Sequence, residues 1–259
     1  MDIKVAIIGG TGVYDLDFLS EKKTTTVSTP FGAVSLQTGL YQGIGTAFLA
    51  RHGHDHSVAP HRINYQANLW ALKTLGIQRV LATAAVGSLR RELPPGHLVL
   101  VDQFIDFTKQ RPLTFFEGQD SPVVHTDFTE PYCPELRRYL LESAPAGCWL
   151  HNRGVYVCTE GPRFETPAEI RLFAQLGGDV VGMTGIPEVV LARELGLCYA
   201  TIALVTNYGA GLSSQPLTHQ EVLECQQANA NNLRSLLQNT LPRLKGNPGC
   251  QCRKANPGL

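Results

Sequence analysis

The sequence predicts an α/β fold: one domain with a mixed, mostly parallel sheet flanked by helices. Three observations lead there. Continuous apolar runs, the kind buried on both faces of a sheet, recur along the chain. Helical stretches with apolar residues at helical spacing separate them. The chain has 259 residues, 43% of them hydrophobic, enough for one sizeable core. No internal repeat, low-complexity linker or composition break marks a second domain, so residues 1–245 are expected to form one unit. Residues 246–259, rich in Gly, Pro and Asn, are expected to be a flexible tail.

The elements follow in order. "KVAIIGG" opens as a buried strand and runs into glycines. "GTAFLARHG" and "RVLATAAVGSL" repeat the pattern, each an apolar run ending in small or polar residues. Between these two, "INYQANLWALKTLG" places Ile63, Ala67, Trp70 and Ala71 at helical spacing, and Gly76 closes it. "HLVLVDQFIDF" and "GVYVCTEGP" are further strands. "TPAEIRLFAQLGG" starts with a threonine cap and a first-turn proline and ends in glycines. "DVVGMTG" is a strand, "PEVVLARELG" a shorter helix and "LCYATIALVTN" the last strand. The long helix "THQEVLECQQANANNLRSLLQNTL" is capped by Thr218.

Charge and composition exclude several classes. Lysine plus arginine equals aspartate plus glutamate, 22 each, with no basic block. Nucleic acid and anionic membrane are therefore not expected partners. No apolar run approaches ~20 residues, so no transmembrane helix is expected, and the start carries no signal-peptide pattern. Seven scattered cysteines without an export signal suggest reduced thiols in a cytoplasm. Cys250 and Cys252 form a Cys-x-Cys pair in the tail. A local disulfide or a metal contact there lacks support from a second cysteine pair.

Ligands of such sheets bind at the carboxyl ends of the strands. "GGTG" (Gly9 to Gly12) follows the first strand, where backbone N–H groups and Thr11 can hold an anion. It is neither a P-loop nor a full dinucleotide fingerprint. "RHGHDHSVAPH" carries Arg51, His52, His54, His56 and His61, suited to a phosphate or carboxylate. Alternating histidines also fit a metal, but His97, His125, His151 and His219 supply no ligands at later strand ends, so no metal is expected. In "TEGPRFETPAE", Thr166 and Glu169 have the spacing of a capping box, which leaves Glu165 to face a ligand. Phe164 beside that carboxylate suits a flat heterocycle bearing N–H donors. Met183 and Thr184 stand between a strand and a helix start. Asn207, Tyr208 and Gly209 stand where the last strand gives out. No Gly-x-Ser-x-Gly elbow supports a serine hydrolase.

These pieces in this order resemble the purine nucleoside phosphorylase and methylthioadenosine phosphorylase family over about residues 4 to 240. The resemblance rests on "AIIGGTG", "TPFG", "FLARHG", "NYQANLWALK", "DQFID", "EGPRFET", "GMTGIPEVVLARELGL" and "TNYGAG". It implies a mixed sheet with a distorted central barrel and cleavage of an N-glycosidic bond by inorganic phosphate, with no metal or organic cofactor. It implies phosphate contacts from Thr11, Arg51, His52 and Thr184 and from the backbone at Ala84 and Ala85. The methylthioadenosine branch often has a threonine where Ala84 stands, so only a backbone contact is carried over there. Phe164 would face the purine and Met183 the ribose. His125, in "VVHTDF", would reach a neighbouring subunit's site in a trimer or dimer of trimers.

Three positions choose among substrates. Adenine-type members carry Asp-Tyr-Asp where this chain has Asn207-Tyr208-Gly209. An asparagine amide can donate to a 6-oxo group or contact N7, and a glycine there removes a charge that would repel the carbonyl. Glu165 matches members acting on inosine and guanosine, whose bases carry an N1 proton for a carboxylate to accept. His219 stands where those members contact the ribose 5′-hydroxyl and methylthio-specific ones have an apolar residue. The expectation is cleavage of inosine or guanosine to free base and ribose 1-phosphate. The alternatives are a methylthioinosine or methylthioadenosine substrate, a metal-dependent hydrolase built on the histidines, and a nucleoside-binding protein without turnover.

Overall fold

The computed structural model describes residues 2–10, 17–53, 57–118, 122–213 and 218–255. Thr11, His54 and His56 lie outside the described residues, as does the side chain of His219.

The strands are β1 (Ile3–Gly9), β2 (Ser20–Thr29), β3 (Gly32–Tyr41), β4 (Ile44–Ala50), β5 (Arg79–Ser88), β6 (Leu98–Leu100), β7 (Gln103–Phe107), β8 (Leu150–His151), β9 (Val155–Thr159), β10 (Val180–Gly182) and β11 (Cys198–Tyr208). The helices are α1 (Tyr65–Thr74), α2 (Pro134–Glu142), α3 (Pro167–Gln175), α4 (Gly185–Glu194) and α5 (His219–Thr240). The sheet runs β2-β3-β4-β1-β5-β10-β9-β7, and β11, β6 and β8 branch from β5. Pairings are mostly parallel. The hairpin strands β2, β3 and β4 are antiparallel, as are β10 against β5 and β11 against β6. The expected barrel takes the form of this branched sheet, with β5 at its centre.

The apolar runs are continuous because both faces of the sheet are covered. In β1, Ala6 and Ile8 join a cluster containing Leu69 and Leu72 of α1 and Val189 and Leu191 of α4. Val5 and Ile7, on the other face, pack with Leu136 and Leu140 of α2 and Leu236 and Leu237 of α5. Each of the valine, leucine and isoleucine side chains among them contributes roughly 1.5–3 kcal/mol of burial. Helix ends follow their caps. Asn64 accepts from Ala67 N–H at 3.0 Å to start α1, and Gly76 at φ +78° closes it. Thr218 accepts from Glu221 N–H at 3.2 Å to start α5.

Four features depart from the sequence expectation. The β2–β3 hairpin and α2 carry too little apolar pattern to be read in advance. The predicted strand 97–107 divides at Val101–Asp102 into β6 and β7, which pair with different partners. The predicted helix over 187–196 acquires Gly185 at its start, though Ile186 has extended dihedrals, so regular helix begins at Pro187. The segment after residue 245, expected to be free, packs on the body as far as Ala255. Gly249 N–H donates to Glu135 at 2.7 Å, and Cys252 is 3% exposed. Its composition gave no apolar stripe; two cysteines supply the burial instead.

Candidate active site

The site opens where the sheet splits. β1 accompanies β5 as far as Ala82, and β10 takes up the same edge only from Gly87. Between them, residues 83–86 keep β11 on one edge and leave the other to a cavity of about 450 Å³. This is a topological switch point at strand carboxyl ends. Strand alternation places the Ala85 N–H on the same edge as the Thr83 carbonyl. Ala84 and Ala85 both line the cavity.

At one end stands Arg51, 3% exposed. Its Nε and Nη2 donate to the two carboxylate oxygens of Glu188, each at 2.6 Å, and Nη1 donates to Thr83 O at 2.7 Å. Tyr199 adds a hydroxyl bond to Glu188 Oε1 at 2.6 Å. Burial disfavours the charged guanidinium, but the Glu188 carboxylate outweighs it and holds Arg51 protonated beyond its ordinary range. Because Glu188 already matches the charge, Arg51 offers the cavity directed N–H donors rather than net charge. Gly10 lies against this group: a Cβ there would meet Thr83 O at 2.5 Å and Arg51 Nη1 at 3.0 Å. His52 approaches Val58 O through Nδ1 at 2.8 Å. A carbonyl only accepts, so Nδ1 carries a proton. Thr184 is 7% exposed, and its side chain makes no capping bond to α4.

The other end carries Glu165 and Asn207. The capping box of α3 forms as expected, with Thr166 N–H donating to Glu169 at 2.7 Å and Glu169 N–H to Thr166 Oγ1 at 3.2 Å. Arg163 also engages Glu169. Glu165, released from that role, lines the cavity. Thr159 Oγ1 donates to its Oε1 at 2.6 Å. Burial pushes the Glu165 carboxyl above the usual carboxylate range, and the Thr159 bond pulls it partly back.

Asn207 sits at a bulge, where Val205 pairs with Val86 and Asn207 with Gly87. The extra residue, Thr206, lets two consecutive side chains line the cavity. Thr206 Oγ1 donates to Asn207 Oδ1 at 2.8 Å, and Asn207 Nδ2 donates to Tyr208 O at 2.9 Å. These bonds fix the amide orientation and leave its second N–H for a ligand. Gly209 is tightly enclosed: a Cβ would meet Ile170 Cδ1 at 2.9 Å and Ser88 O at 3.0 Å, so a side chain there requires these neighbours to shift.

Of the sequence-predicted residues, Arg51, His52, Ala84, Ala85, Phe164, Glu165, Met183, Thr184, Asn207 and Gly209 line this one cavity. Phe164, 41% exposed, stands at its mouth. Tyr208 does not line it; its hydroxyl donates to Arg91 O at 3.2 Å. His125 is exposed and away from it. Val222, three residues into α5 from His219, does line it.

Sequence reasoning missed Glu188, Thr159 and Arg111. Glu188 reads as an ordinary first-turn acid of α4. Arg111 sits in a loop with no motif around it. Yet it donates to Met183 O at 2.7 Å, Ile186 O at 2.5 Å, Thr159 O at 3.2 Å and Glu160 O at 2.7 Å, tying two cavity walls together.

A split α/β sheet with a buried arginine at one end of a cleft and a carboxylate–amide pair at the other agrees with a nucleoside phosphorylase type of protein. The chain belongs to the phosphorylase superfamily, whose family model matches residues 4–242. It is 57% identical over 254 residues to a protein of Dictyoglomus turgidum named probable 6-oxopurine nucleoside phosphorylase, covering 98% of this chain and 96% of the relative. It is 52% identical over 261 residues to the 6-oxopurine nucleoside phosphorylase of Pyrococcus furiosus, covering 98% of each. Methylthioadenosine phosphorylase from Schistosoma mansoni, solved with adenine, superposes with a TM-score of 0.92 at 35% identity, covering 99% of this chain and 96% of that one.

Proposed function

We propose that the protein is a 6-oxopurine nucleoside phosphorylase, cleaving inosine and guanosine with inorganic phosphate to free base and ribose 1-phosphate. The observation that carries this reading is the pairing of Glu165 and Asn207 in the cavity that also holds Arg51. A 6-oxopurine presents an N1 proton and an O6 acceptor, and the site offers a carboxylate and an amide N–H. Thr159 already donates to Glu165 Oε1, so a base lacking the N1 proton leaves the other carboxylate oxygen facing it without a donor.

In this reading phosphate lies against Arg51, His52, Thr184, Thr11 and the Ala84–Ala85 backbone. The C1′–N9 bond breaks with its electron pair moving to the purine. The Asn207 amide N–H stabilises the departing base as it gains electron density, and Glu165 orients that base through its N1–H. Phosphate stabilises the oxocarbenium-like sugar and then forms the C1′–O bond. Phe164 covers the base, Met183 the ribose, and His219 the 5′-hydroxyl. His125 serves a neighbouring subunit of a trimer or a dimer of trimers. No cofactor enters; phosphate is a co-substrate, and the cytoplasm is the setting. Among the described residues, no helix is long and apolar enough to cross a membrane.

The test is phosphate-dependent release of base from inosine, guanosine, adenosine, 5′-methylthioadenosine and 5′-methylthioinosine, side by side. Turnover of inosine and guanosine is expected. Preference for a methylthio substrate overturns the reading of His219, and release of adenine overturns that of Glu165 and Asn207.

A further inference from the structure

Far from the cavity, the tail and the start of β11 meet in a cluster that the phosphorylase reading leaves unused. Cys198 begins β11, Cys133 stands at the amino end of α2, and Cys250 and Cys252 flank one residue of the tail. Their four sulfurs all lie within 4.8 Å of one another. Cys133 Sγ is 3.6 Å and Cys198 Sγ 3.2 Å from Cys250 Sγ. The tail's Cys-x-Cys has therefore found the second cysteine pair that the sequence did not reveal. We propose that these four cysteines form a closed structural site for one Zn²⁺ ion.

The geometry suits that ion. Zn–S bonds of about 2.3 Å in a tetrahedron put the sulfurs about 3.8 Å apart, so no sulfur–sulfur distance in the cluster has to change by more than about 1 Å to close on a metal. Softness agrees, since four thiolates select Zn²⁺ over Mg²⁺ or Ca²⁺. Three of the four ligands are tied by their own backbone. Cys133 N–H donates to Tyr199 O at 2.8 Å, Cys198 N–H to Gln78 O at 2.9 Å, and Ala255 N–H to Cys252 O at 3.2 Å.

The electrostatics agree as well. A Zn²⁺ with four thiolates carries net negative charge, and buried charge requires compensation. Arg79, the register partner of Cys198 and 2% exposed, supplies a cation beside the cluster. It also ties down the tail, donating to Leu244 O at 3.1 Å and Gly246 O at 2.8 Å, and it pairs with Glu135 at 3.1 Å.

The role is structural. All four positions are taken by protein, so no substrate can bind the metal. Asn207 lies nine residues further along β11, roughly 30 Å away at strand rise. The ion would join three segments distant in sequence: the start of α2, the start of β11 and the tail.

The same four sulfurs could instead oxidise to two disulfides, and the experiment separates the two states. The full-length protein, prepared with reductant and without chelator, is assayed for zinc per chain, for thiols in denaturant with EDTA, and for intact mass. One zinc per chain with all seven cysteines titrating as thiols is expected. Co²⁺ in its place should give the intense visible bands of a tetrahedral tetrathiolate. Two disulfides without zinc overturn the proposal, as do seven thiols that take up neither Zn²⁺ nor Co²⁺. The double variant Cys250→Ser, Cys252→Ser should lose the zinc and melt lower by at least about 5 °C, with kcat on inosine at 25 °C within about twofold of the parent. Zinc retained by that variant also overturns the proposal.

Discussion

Glu188→Gln isolates the group that aims Arg51. Both side chains are fully buried, at 0% and 3% exposure. The carboxylate receives two guanidinium bonds and one tyrosine bond, all at 2.6 Å. Glutamine keeps the volume but replaces one oxygen with an NH₂ that can only donate. One donor then faces another, and the guanidinium charge is left uncompensated in a dry site. Breaking a buried pair in this way costs about 3–5 kcal/mol. For a chain of this size each kcal/mol moves Tm by roughly 2–4 °C, so a fall of roughly 6–20 °C is expected. Phosphate KM should rise at least about tenfold, while nucleoside KM stays within about threefold. The assays are thermal unfolding and initial rates over a phosphate series. The double variant Arg51→Met, Glu188→Leu removes both charges and should recover at least half of the lost stability while remaining inactive. If Glu188→Gln melts within about 2 °C of the parent and keeps its phosphate KM, the argument that Glu188 positions Arg51 is wrong.

Two further outcomes follow from the base end of the cavity. Burial raises the Glu165 carboxyl above its ordinary value, so the carboxylate proposed to accept a hydrogen bond from N1–H is lost as pH falls through that raised value. The acid limb of kcat/KM for inosine should therefore lie above the range of an ordinary glutamate. Glu165→Gln should abolish that limb and lower kcat/KM by about tenfold to a hundredfold; a limb that persists belongs to another group. Asn207→Asp should lower inosine turnover at least about tenfold and introduce measurable adenosine cleavage. Unchanged inosine kinetics with no adenosine cleavage would contradict the role given to the amide.

The sequence disclosed what rests on local pattern. β1, β5 and β11 are legible because both their faces are buried, so most of their residues are apolar or small. Thr166 and Glu169 declared the capping box by spacing alone. The β2 run "SEKKTTTVST" was not legible, because most of it is exposed and its order comes from pairing with β3. The same limit governs the site. Arg51 and Asn207 stand out at strand ends, but the partner of Arg51 is 137 residues away, and nothing near Glu188 signals it. Cys250 gives the clearest case: its neighbours in sequence suggest a loose end, while its neighbours in space are Cys133 and Cys198, 117 and 52 residues distant.

Arg111 has a mechanical consequence. Its guanidinium bonds to carbonyls on two walls, Thr159 and Glu160 on the side leading to Glu165, and Met183 and Ile186 on the side leading to Thr184. The four acceptors share one rigid planar hub. Neither wall can shift without dragging the other or surrendering buried bonds. Whatever steadies the wall at Glu165 thereby steadies the wall at Thr184, so the two ends of the cleft behave as the jaws of a single clamp rather than as two separate grips.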